Sequence, residues 1–242
     1  MRWEDEGVLL SSRNYGEHNA IIEVLTPSHG RHVGLVKYAH TPKILSLLEP
    51  GMQLNLVWSA RLNEHLGIFL IDKIKSRTFS LIQNKKTLLG FNSLISLLIM
   101  SLPEREPCRK IYEATIKLLD SICDDPVWLA GYVHWELLML SELGFGLDLS
   151  ECAVTGKRRD LIYVSPKTGR AVSADAGKEW KKKLLPLPKF LTLPHNMNET
   201  DLRTISCGMR LTGFFLDKWL LRAIEKVSLP EARGRFFMSL LD

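Results

Sequence analysis

The apolar residues of this 242-residue chain follow two different periods, and the change between them restricts the possible folds more than any other feature. Up to about residue 80, apolar and polar residues alternate with a period of two, which is typical of strands with one buried face. From Phe79 onward the period is about 3.6, which is typical of helices packed against a core. Because strands and helices occupy separate parts of the chain, the sequence predicts the α+β class.

The first 80 residues contain five predicted strands with no long helix between them. These strands cover residues 7–12, 18–25, 31–37, 52–58 and 66–74. Pro27 and Gly30 lie between the second and third strands, where proline presets φ and glycine accepts a positive φ, so these two strands form a hairpin. Five short strands in so few residues favour a small closed barrel. We predict an N-terminal OB-fold β-barrel over residues 1–80.

The remaining residues, 81–242, are predicted to form an α-helical domain with a small β-hairpin insert at about 151–174. Apolar residues at helical spacing indicate helices at 81–98, 111–119, 125–143, 174–184, 198–226 and 230–241. Asp125 and Pro126 begin the third of these helices, and Gly144 ends it. The insert consists of strands at 159–165 and 170–173 around a Pro-Lys-Thr-Gly turn.

Composition and cysteine usage are those of an ordinary globular protein, with 45% apolar and 24% charged residues. The four cysteines are widely spaced and form no Cys-x-x-Cys pair, which favours reduced thiols. The N-terminus lacks the pattern of a secretory signal. The longest apolar stretch, 88–100, is interrupted by polar residues and is too short to cross a bilayer. We therefore expect a cytoplasmic protein without a membrane partner.

No sequence motif supports catalysis or a bound cofactor. A phosphate-binding loop would need a glycine at Glu151 and a hydroxyl after Lys157. His134 and Glu136 are two residues apart on a predicted helix, so they point to different faces, and a structural role is expected for both. The sequence predicts no enzyme, no catalytic residue and no cofactor. An enzyme whose site is assembled from residues distant in sequence is left as an alternative.

The predicted barrel mixes cations with aromatic residues, as single-strand binders do. Its nine Lys/Arg and eight Asp/Glu give a net charge of only +1. Tyr15 and Tyr38 sit beside turns and are the candidates for base stacking, whereas Trp58 and Phe69 lie on strand patterns and are expected in the core. The candidate phosphate contacts of the barrel are Arg2, Arg13, Arg31, Lys37, Lys43 and Arg61.

A second basic segment covers residues 151–190. It holds ten Lys/Arg against four Asp/Glu, a net charge of +6, while the whole chain carries +5. Such a bias around a hairpin and the next helix favours a phosphate or acidic-peptide partner. The candidate contacts in this segment are Lys157, Arg158, Arg159, Lys181, Lys182 and Lys183.

Several strings of the sequence resemble the RecO family of bacterial DNA repair and recombination mediators. They are DEGVLL at 5–10, the pair Gly16-Glu17, HGR at 29–31, ARLNEHLG at 60–67, YVSPKTGRAVS at 163–173 and LPLPKFL at 185–191. The strings are spread over most of the chain and occur in the family's order. As a set they favour the alphaproteobacterial branch of the family.

The resemblance implies an OB-fold followed by a helical domain, no enzymatic activity, and binding to single- and double-stranded DNA. It also implies partnership with RecR and with the acidic C-terminal tail of single-strand binding protein. The implied role is to help RecA displace that protein and to anneal complementary strands in recombinational repair, in association with the nucleoid. The alternative is a protein-interaction adaptor whose basic surface receives an acidic peptide, with incidental DNA contact.

Two departures from the family pattern change these expectations. Many members carry four zinc-binding cysteines in the insert, but only Cys152 remains here, so we predict no metal. Apolar packing of Leu161, Tyr163 and Val172 would hold the hairpin instead. The loop after Lys37, often strongly basic in the family, contains one further lysine, so weaker DNA binding by the barrel is expected, with the 151–190 segment compensating.

Overall fold

The first five strands close into a barrel in the order β1-β2-β3-β5-β4. The computed structural model describes residues 1–122, 127–192 and 200–241. The barrel strands are β1 (Arg2–Tyr15), β2 (Asn19–Thr26), β3 (Gly30–Val36), β4 (Gln53–Ser59) and β5 (Ile68–Lys75). Neighbouring strands are antiparallel except β3 and β5, which are parallel. This is the strand order of an OB-fold, and the predicted fold class is confirmed.

Strand β1 is long enough to serve two neighbours. Its first half pairs with β4, from Arg2 opposite Ser59 onward, and its second half pairs with β2 as far as Tyr15 opposite Asn19. Trp58 and Phe69 are fully buried in the barrel interior, as predicted. The β1–β2 turn therefore lies at the opposite end of β1 from Arg2.

The helices up to residue 120 cluster with the barrel. They are α1 (Pro42–Leu45), α2 (Thr78–Ile82), α3 (Lys85–Ser101) and α4 (Arg109–Asp120). The sequence placed two of them, α3 and α4, in the helical domain. The chain forms two compact units, 1–120 and 121–242.

The α3–α4 linker explains this grouping because it extends the sheet beside β3. Arg31 forms a parallel bridge with Glu104, and the Arg105 N–H donates to the Arg31 carbonyl at 2.8 Å. Gly30 has φ +63°, and a Cβ there would lie 1.9 Å from the Glu106 carbonyl oxygen. Only glycine allows so close an approach of the linker to the β2–β3 turn.

The end of α4 is held to the barrel by polar side chains. The buried Arg77 guanidinium donates to the Gln53 amide oxygen at 2.9 Å and to the Asp120 carboxylate at 2.8 Å. Lys75 Nζ lies 2.7 Å from the same carboxylate. Asp120, the final residue of α4, is thereby bonded to Lys75 and Arg77, which lie 45 and 43 positions earlier in the chain.

The second unit packs helices around a small sheet. Its elements are α5 (Val127–Glu142), β6 (Leu161–Val164), β7 (Ala171–Ser173), α6 (Ala174–Gly177), β8 (Leu185–Pro186), α7 (Leu202–Phe215), α8 (Leu221–Ala223) and α9 (Glu231–Met238). The hairpin insert is confirmed, with β6 and β7 antiparallel, and Gly144 follows the end of α5 with φ +86°. The predicted helix starts at Asp125 and Asn198 lie outside the described residues.

The predicted helix over 174–184 is wrong in its second half. After α6 comes a 3₁₀ turn, Lys178–Trp180, and the chain then reverses into β8. Leu185 pairs with Val164 on β6, so the preceding residues must turn back toward the hairpin. Within the described ranges, no helix is long and apolar enough to cross a bilayer.

Candidate nucleic-acid interface

Two loops at one end of the barrel bring together four of the predicted residues. The Ala39 N–H donates to the His18 carbonyl at 2.8 Å, which ties the loop after β3 to the β1–β2 turn. Arg13 and Tyr15 share a face of β1 because they are two residues apart. Ala20 pairs with Val36, and the same register places the next residue, Lys37, beside Asn19. Asn19 in turn pairs with Tyr15.

Tyr38 combines exposure with an unusual backbone conformation. Its side chain is 70% exposed and its φ is +56°, in the left-handed region that is uncommon for residues other than glycine. Thr41 holds this conformation, since its N–H and its hydroxyl both donate to the Tyr38 carbonyl, at 3.1 and 2.9 Å. Strained residues cluster at binding sites. Tyr15 is the second exposed aromatic side chain at this end of the barrel, with 53% exposure.

The cations of this end are available for an external partner. Arg13, Lys37 and Lys43 are exposed, and none of them forms an ion pair with another described residue. We call Arg13, Tyr15, Lys37 and Tyr38 the barrel surface. Lys43 lies nearby in α1, five residues after Tyr38.

Arg2 and Arg61 do not belong to the barrel surface. Both are exposed, but they lie near the start of β1, where Arg2 faces Ser59 and Arg61 follows β4. Arg2 is also paired with Glu4 at 3.0 Å. The predicted barrel residues are therefore divided between the two ends of β1.

Arg31 has a structural role that its prediction as a phosphate contact did not foresee. Its guanidinium pairs with Glu23 on β2 and donates to the Leu102 carbonyl at 2.8 Å. The side chain is only 15% exposed. Because its donors are directed at these internal partners, we remove Arg31 from the interface.

A cluster of rings fills the barrel near the start of β1. Trp3 stacks on His29 with a 4.0 Å centroid distance and on Trp58 at 5.7 Å. His29 Nδ1 lies 3.0 Å from the Asp5 carboxylate. His32 sits edge-on to Trp3 and Trp58, 2% exposed, and neither ring nitrogen has a hydrogen-bond partner among the described residues.

The pKa of His32 follows from this environment. Burial, then the charge of Arg105, then His29, lower the pKa of its imidazole to about 4. The ring is therefore neutral at pH 7, and the cluster packs as an apolar core. Sequence reasoning did not identify the cluster, since its members come from three strands and a turn.

The basic segment of the second unit surrounds a cavity of about 410 Å³. Arg158, Arg159 and Lys189 contribute cations to its wall, Asp160 contributes a carboxylate, and Leu161 and Ile162 contribute apolar surface. Arg158 Nε is 3.8 Å from Glu151, while Lys157 and Arg159 are exposed. Lys189 was absent from the predicted contacts, although it belongs to the same basic segment.

Trp180 is an exposed aromatic residue that the predictions missed. Its side chain is 55% exposed, and the Lys183 ammonium lies 5.2 Å from its ring centre. The predicted contacts Lys181, Lys182 and Lys183 follow it directly and are all exposed. The signal in the sequence was a tryptophan with Lys178 two residues before it and three lysines directly after it. The segment was predicted as a helix, and the exposure of the tryptophan was not foreseen.

Cys152 has become a hydrogen-bond acceptor in the insert. The Ser173 N–H donates to its Sγ at 3.2 Å. Burial raises the pKa of this thiol, but hydrogen bonds from Ser173, Thr155 and Val154 outweigh burial and bring the pKa to about 6. Of the residues expected to hold the hairpin, Leu161 and Val172 are buried and Tyr163 is half-buried. Among the described residues, no three His, Cys, Asp or Glu side chains are grouped to hold a metal.

His134 and Glu136 have the structural roles predicted for them. His134 Nε2 lies 3.2 Å from the Phe190 carbonyl, and burial lowers the pKa of its ring. Glu136 is fully buried and accepts two hydrogen bonds from Arg233, at 2.7 and 2.9 Å. A carboxylate neutralised in this way is directed at its partner and is not open to a substrate.

The fold gives the class first, that of proteins with an OB-fold barrel. OB-fold barrels bind oligonucleotides and oligosaccharides, and exposed rings beside unpaired cations are typical of single-strand binders. Comparison with known proteins then gives the family. The family models for the N-terminal and C-terminal parts of recombination protein O match residues 1–76 and 83–227.

Full-length relatives agree with the family models. The DNA repair protein RecO of Roseobacter denitrificans is 45% identical over 98% of this chain and 97% of its own length. That of Cereibacter sphaeroides is 46% identical over 97% of both chains, and that of Mesorhizobium japonicum is 42% identical over 99% and 94%. The chain belongs to the RecO family of DNA repair proteins.

Proposed function

We propose that this protein is a non-enzymatic recombination mediator that binds DNA and anneals single strands. The observation that carries the proposal is the barrel surface, where two exposed tyrosines lie among cations without ion-pair partners in the described chain. The cations would neutralise phosphates of single- or double-stranded DNA and release counterions. The rings would stack on bases, which only an open strand presents.

Family membership supports the partners that we propose. With RecR, the protein would help load RecA onto single-stranded DNA coated by single-strand binding protein, whose acidic C-terminal tail it would contact. We propose that it acts in the cytoplasm, at the nucleoid, in recombinational repair. Arg2, Lys43, Arg61 and the exposed cations of the insert would add phosphate contacts.

The barrel surface is tested by removing its rings and its charges separately. We expect Tyr38→Ala to weaken binding to a single-stranded oligonucleotide about tenfold with little effect on a duplex, since base stacking is worth about 1–3 kcal/mol. Tyr38→Phe should retain the affinity. Arg13→Glu with Lys37→Glu should weaken binding to both DNA forms and lower the salt slope by about 1.4 for single strands.

Charge reversals elsewhere in the same unit provide the control. Lys85→Glu and Lys117→Glu, on exposed positions of α3 and α4, change the net charge equally and should leave affinity within about twofold at about 150 mM salt, where distant charges are screened. Fluorescence anisotropy of labelled oligonucleotides measures all of these variants. Equal losses from both pairs of substitutions would mean that the barrel surface has no special role.

The adaptor function remains the alternative, and the cavity of the insert favours it. A pocket lined by three cations, the single carboxylate of Asp160 and apolar side chains fits an acidic peptide with an apolar residue. If the protein binds an acidic peptide but no oligonucleotide at about 50 mM salt, where electrostatic DNA binding is strong, the adaptor function is correct.

A further inference from the structure

The segment around Trp180 has the components of a single-strand site in the second unit. Trp180 ends the 3₁₀ turn Lys178–Trp180 and is 55% exposed, and Lys181, Lys182 and Lys183 follow it. Large aromatic side chains usually bury most of their surface. An exposed indole followed by three lysines therefore favours a partner that offers both a π-face and negative charge.

The electrostatics of the segment favour an anionic partner. Residues 178–183 contain four lysines and one glutamate. The Lys183 ammonium lies 5.2 Å from the indole centre, and none of the three following lysines forms an ion pair with a described residue. The indole and the Lys183 ammonium are thus adjacent, as a base and a phosphate of one nucleotide strand are.

The backbone holds this segment at both ends. Gly177 packs so closely on the Tyr163 ring that a Cβ would lie 2.5 Å from it. The Lys183 N–H donates to the Trp180 carbonyl at 2.8 Å, and Leu185 then pairs with Val164 in the sheet. A turn fixed in this way loses little backbone entropy when a ligand binds.

We propose that Trp180, Lys181, Lys182 and Lys183 form a second binding site for single-stranded DNA, separate from the barrel surface. The indole stacks on an unpaired base, and the lysines contact flanking phosphates. The inference rests on the proposed function and deepens it, because annealing brings two strands together and each unit then holds one. An acidic peptide would use the lysines but would not need the indole.

Trp180 reports its own occupancy, since it is the most exposed tryptophan among the described residues. We expect oligo(dT) to quench the tryptophan fluorescence of the full chain and to protect it from acrylamide. Trp180→Phe should abolish most of that quenching while anisotropy shows unchanged affinity. Trp180→Ala should lower single-strand affinity about tenfold and leave duplex affinity unchanged.

The lysines are tested by salt dependence. Replacing Lys181, Lys182 and Lys183 by Gln should lower the slope of log affinity against log salt by about 2 for a single strand. Phe79→Ala is the control for Trp180→Ala, because Phe79 of α2 is an exposed aromatic residue without a lysine trio, and the affinity of this variant should equal that of the wild type. Circular dichroism should show that all variants are folded.

Three results would overturn the inference. They are wild-type single-strand affinity in Trp180→Ala, oligo(dT) binding that leaves the tryptophan fluorescence unchanged, and quenching by an acidic peptide but not by oligo(dT). If instead the wild type binds no oligonucleotide at all, the proposed function itself fails. The single-strand affinity of the Tyr38→Ala variant distinguishes the two sites, because this substitution changes only the barrel surface.

Discussion

Arg13 and Arg31 show how one residue type acquires two roles within one barrel. Both were predicted to contact phosphate, but only Arg13 is free of ion pairs with other described residues. Arg31 finds Glu23 eight residues away and the Leu102 carbonyl 71 residues away. Partners at such separations are brought together by folding, so no local pattern distinguishes the two arginines.

At the residue scale, His32 should make the stability of the barrel depend on pH. Its pKa is lowered to about 4 in the folded chain, against 6.5 for a free imidazole, so below pH 6.5 the unfolded state binds the proton and the folded state resists it. The stability that comes from keeping His32 neutral is fully present above pH 6.5 and is lost as the pH falls toward 4. We expect the free energy of unfolding to fall by about 3 kcal/mol over this interval.

The measurement compares urea unfolding of wild type and His32→Phe at several pH values. Phenylalanine fills a similar volume among Trp3 and Trp58 but does not titrate, so the variant should lose less stability on acidification. His40→Phe, at an exposed position, is the control and should follow the wild type. Parallel pH profiles of His32→Phe and wild type would contradict the assignment.

At the scale of elements, a buried ion pair joins three helices of the second unit. Glu136 of α5 accepts hydrogen bonds from Arg233 of α9 and from the Thr212 hydroxyl of α7. Arg233 also donates to the Met209 carbonyl at 2.7 Å. The satisfied network orients the helices, although a buried pair adds little net stability over apolar packing.

Breaking one side of this pair should be costly. Glu136→Gln leaves the buried Arg233 guanidinium without its counter-charge, and we expect a loss of about 3–5 kcal/mol in the free energy of unfolding. Chemical denaturation followed by circular dichroism measures it. The double variant Glu136→Gln, Arg233→Met removes both charges and should lose clearly less than the sum of the two single variants. An additive result would show that the two residues act independently.

The insert shows which elements local patterns specify. The alternating residues and the Pro-Lys-Thr-Gly turn were enough to predict β6 and β7. The two-residue strand β8 and the reversal before it depend on pairing with β6, so the apolar spacing of 174–184 suggested a longer helix than the chain forms. Short elements made by nonlocal pairing carry too few residues for a period to show.

At the scale of the whole molecule, the first cooperative unit should end at 120 rather than 80. A fragment of residues 1–80 lacks the linker that pairs with β3 at Arg31, and its Arg77 loses Asp120. We expect the fragment 1–120 to unfold cooperatively in urea, and the fragment 1–80 to show a much lower midpoint or no transition. Tryptophan fluorescence of Trp3 and Trp58 reports on both fragments. Equal midpoints would place the boundary at 80.

The distribution of charge agrees with a site in each unit. Residues 1–80 carry +1, residues 81–150 carry −3 and residues 151–242 carry +7. On our proposal, the barrel would bind through a few cations without ion-pair partners in the described chain beside exposed rings, and the site at Trp180 would bind through the three lysines that follow it. Salt should weaken binding through the Trp180 site, with its three lysines, more steeply than binding through the barrel surface.

The sequence by itself determined the class of fold, the five strands and the hairpin insert, because hydrophobic period and turn residues are local properties that survive without tertiary context. It also carried the strings that resemble the RecO family. Only the tertiary structure decided which cations are free, that the α3–α4 linker belongs to the barrel, and that Trp180 is exposed. Each of these depends on contacts between residues far apart in sequence, which form only when the chain folds.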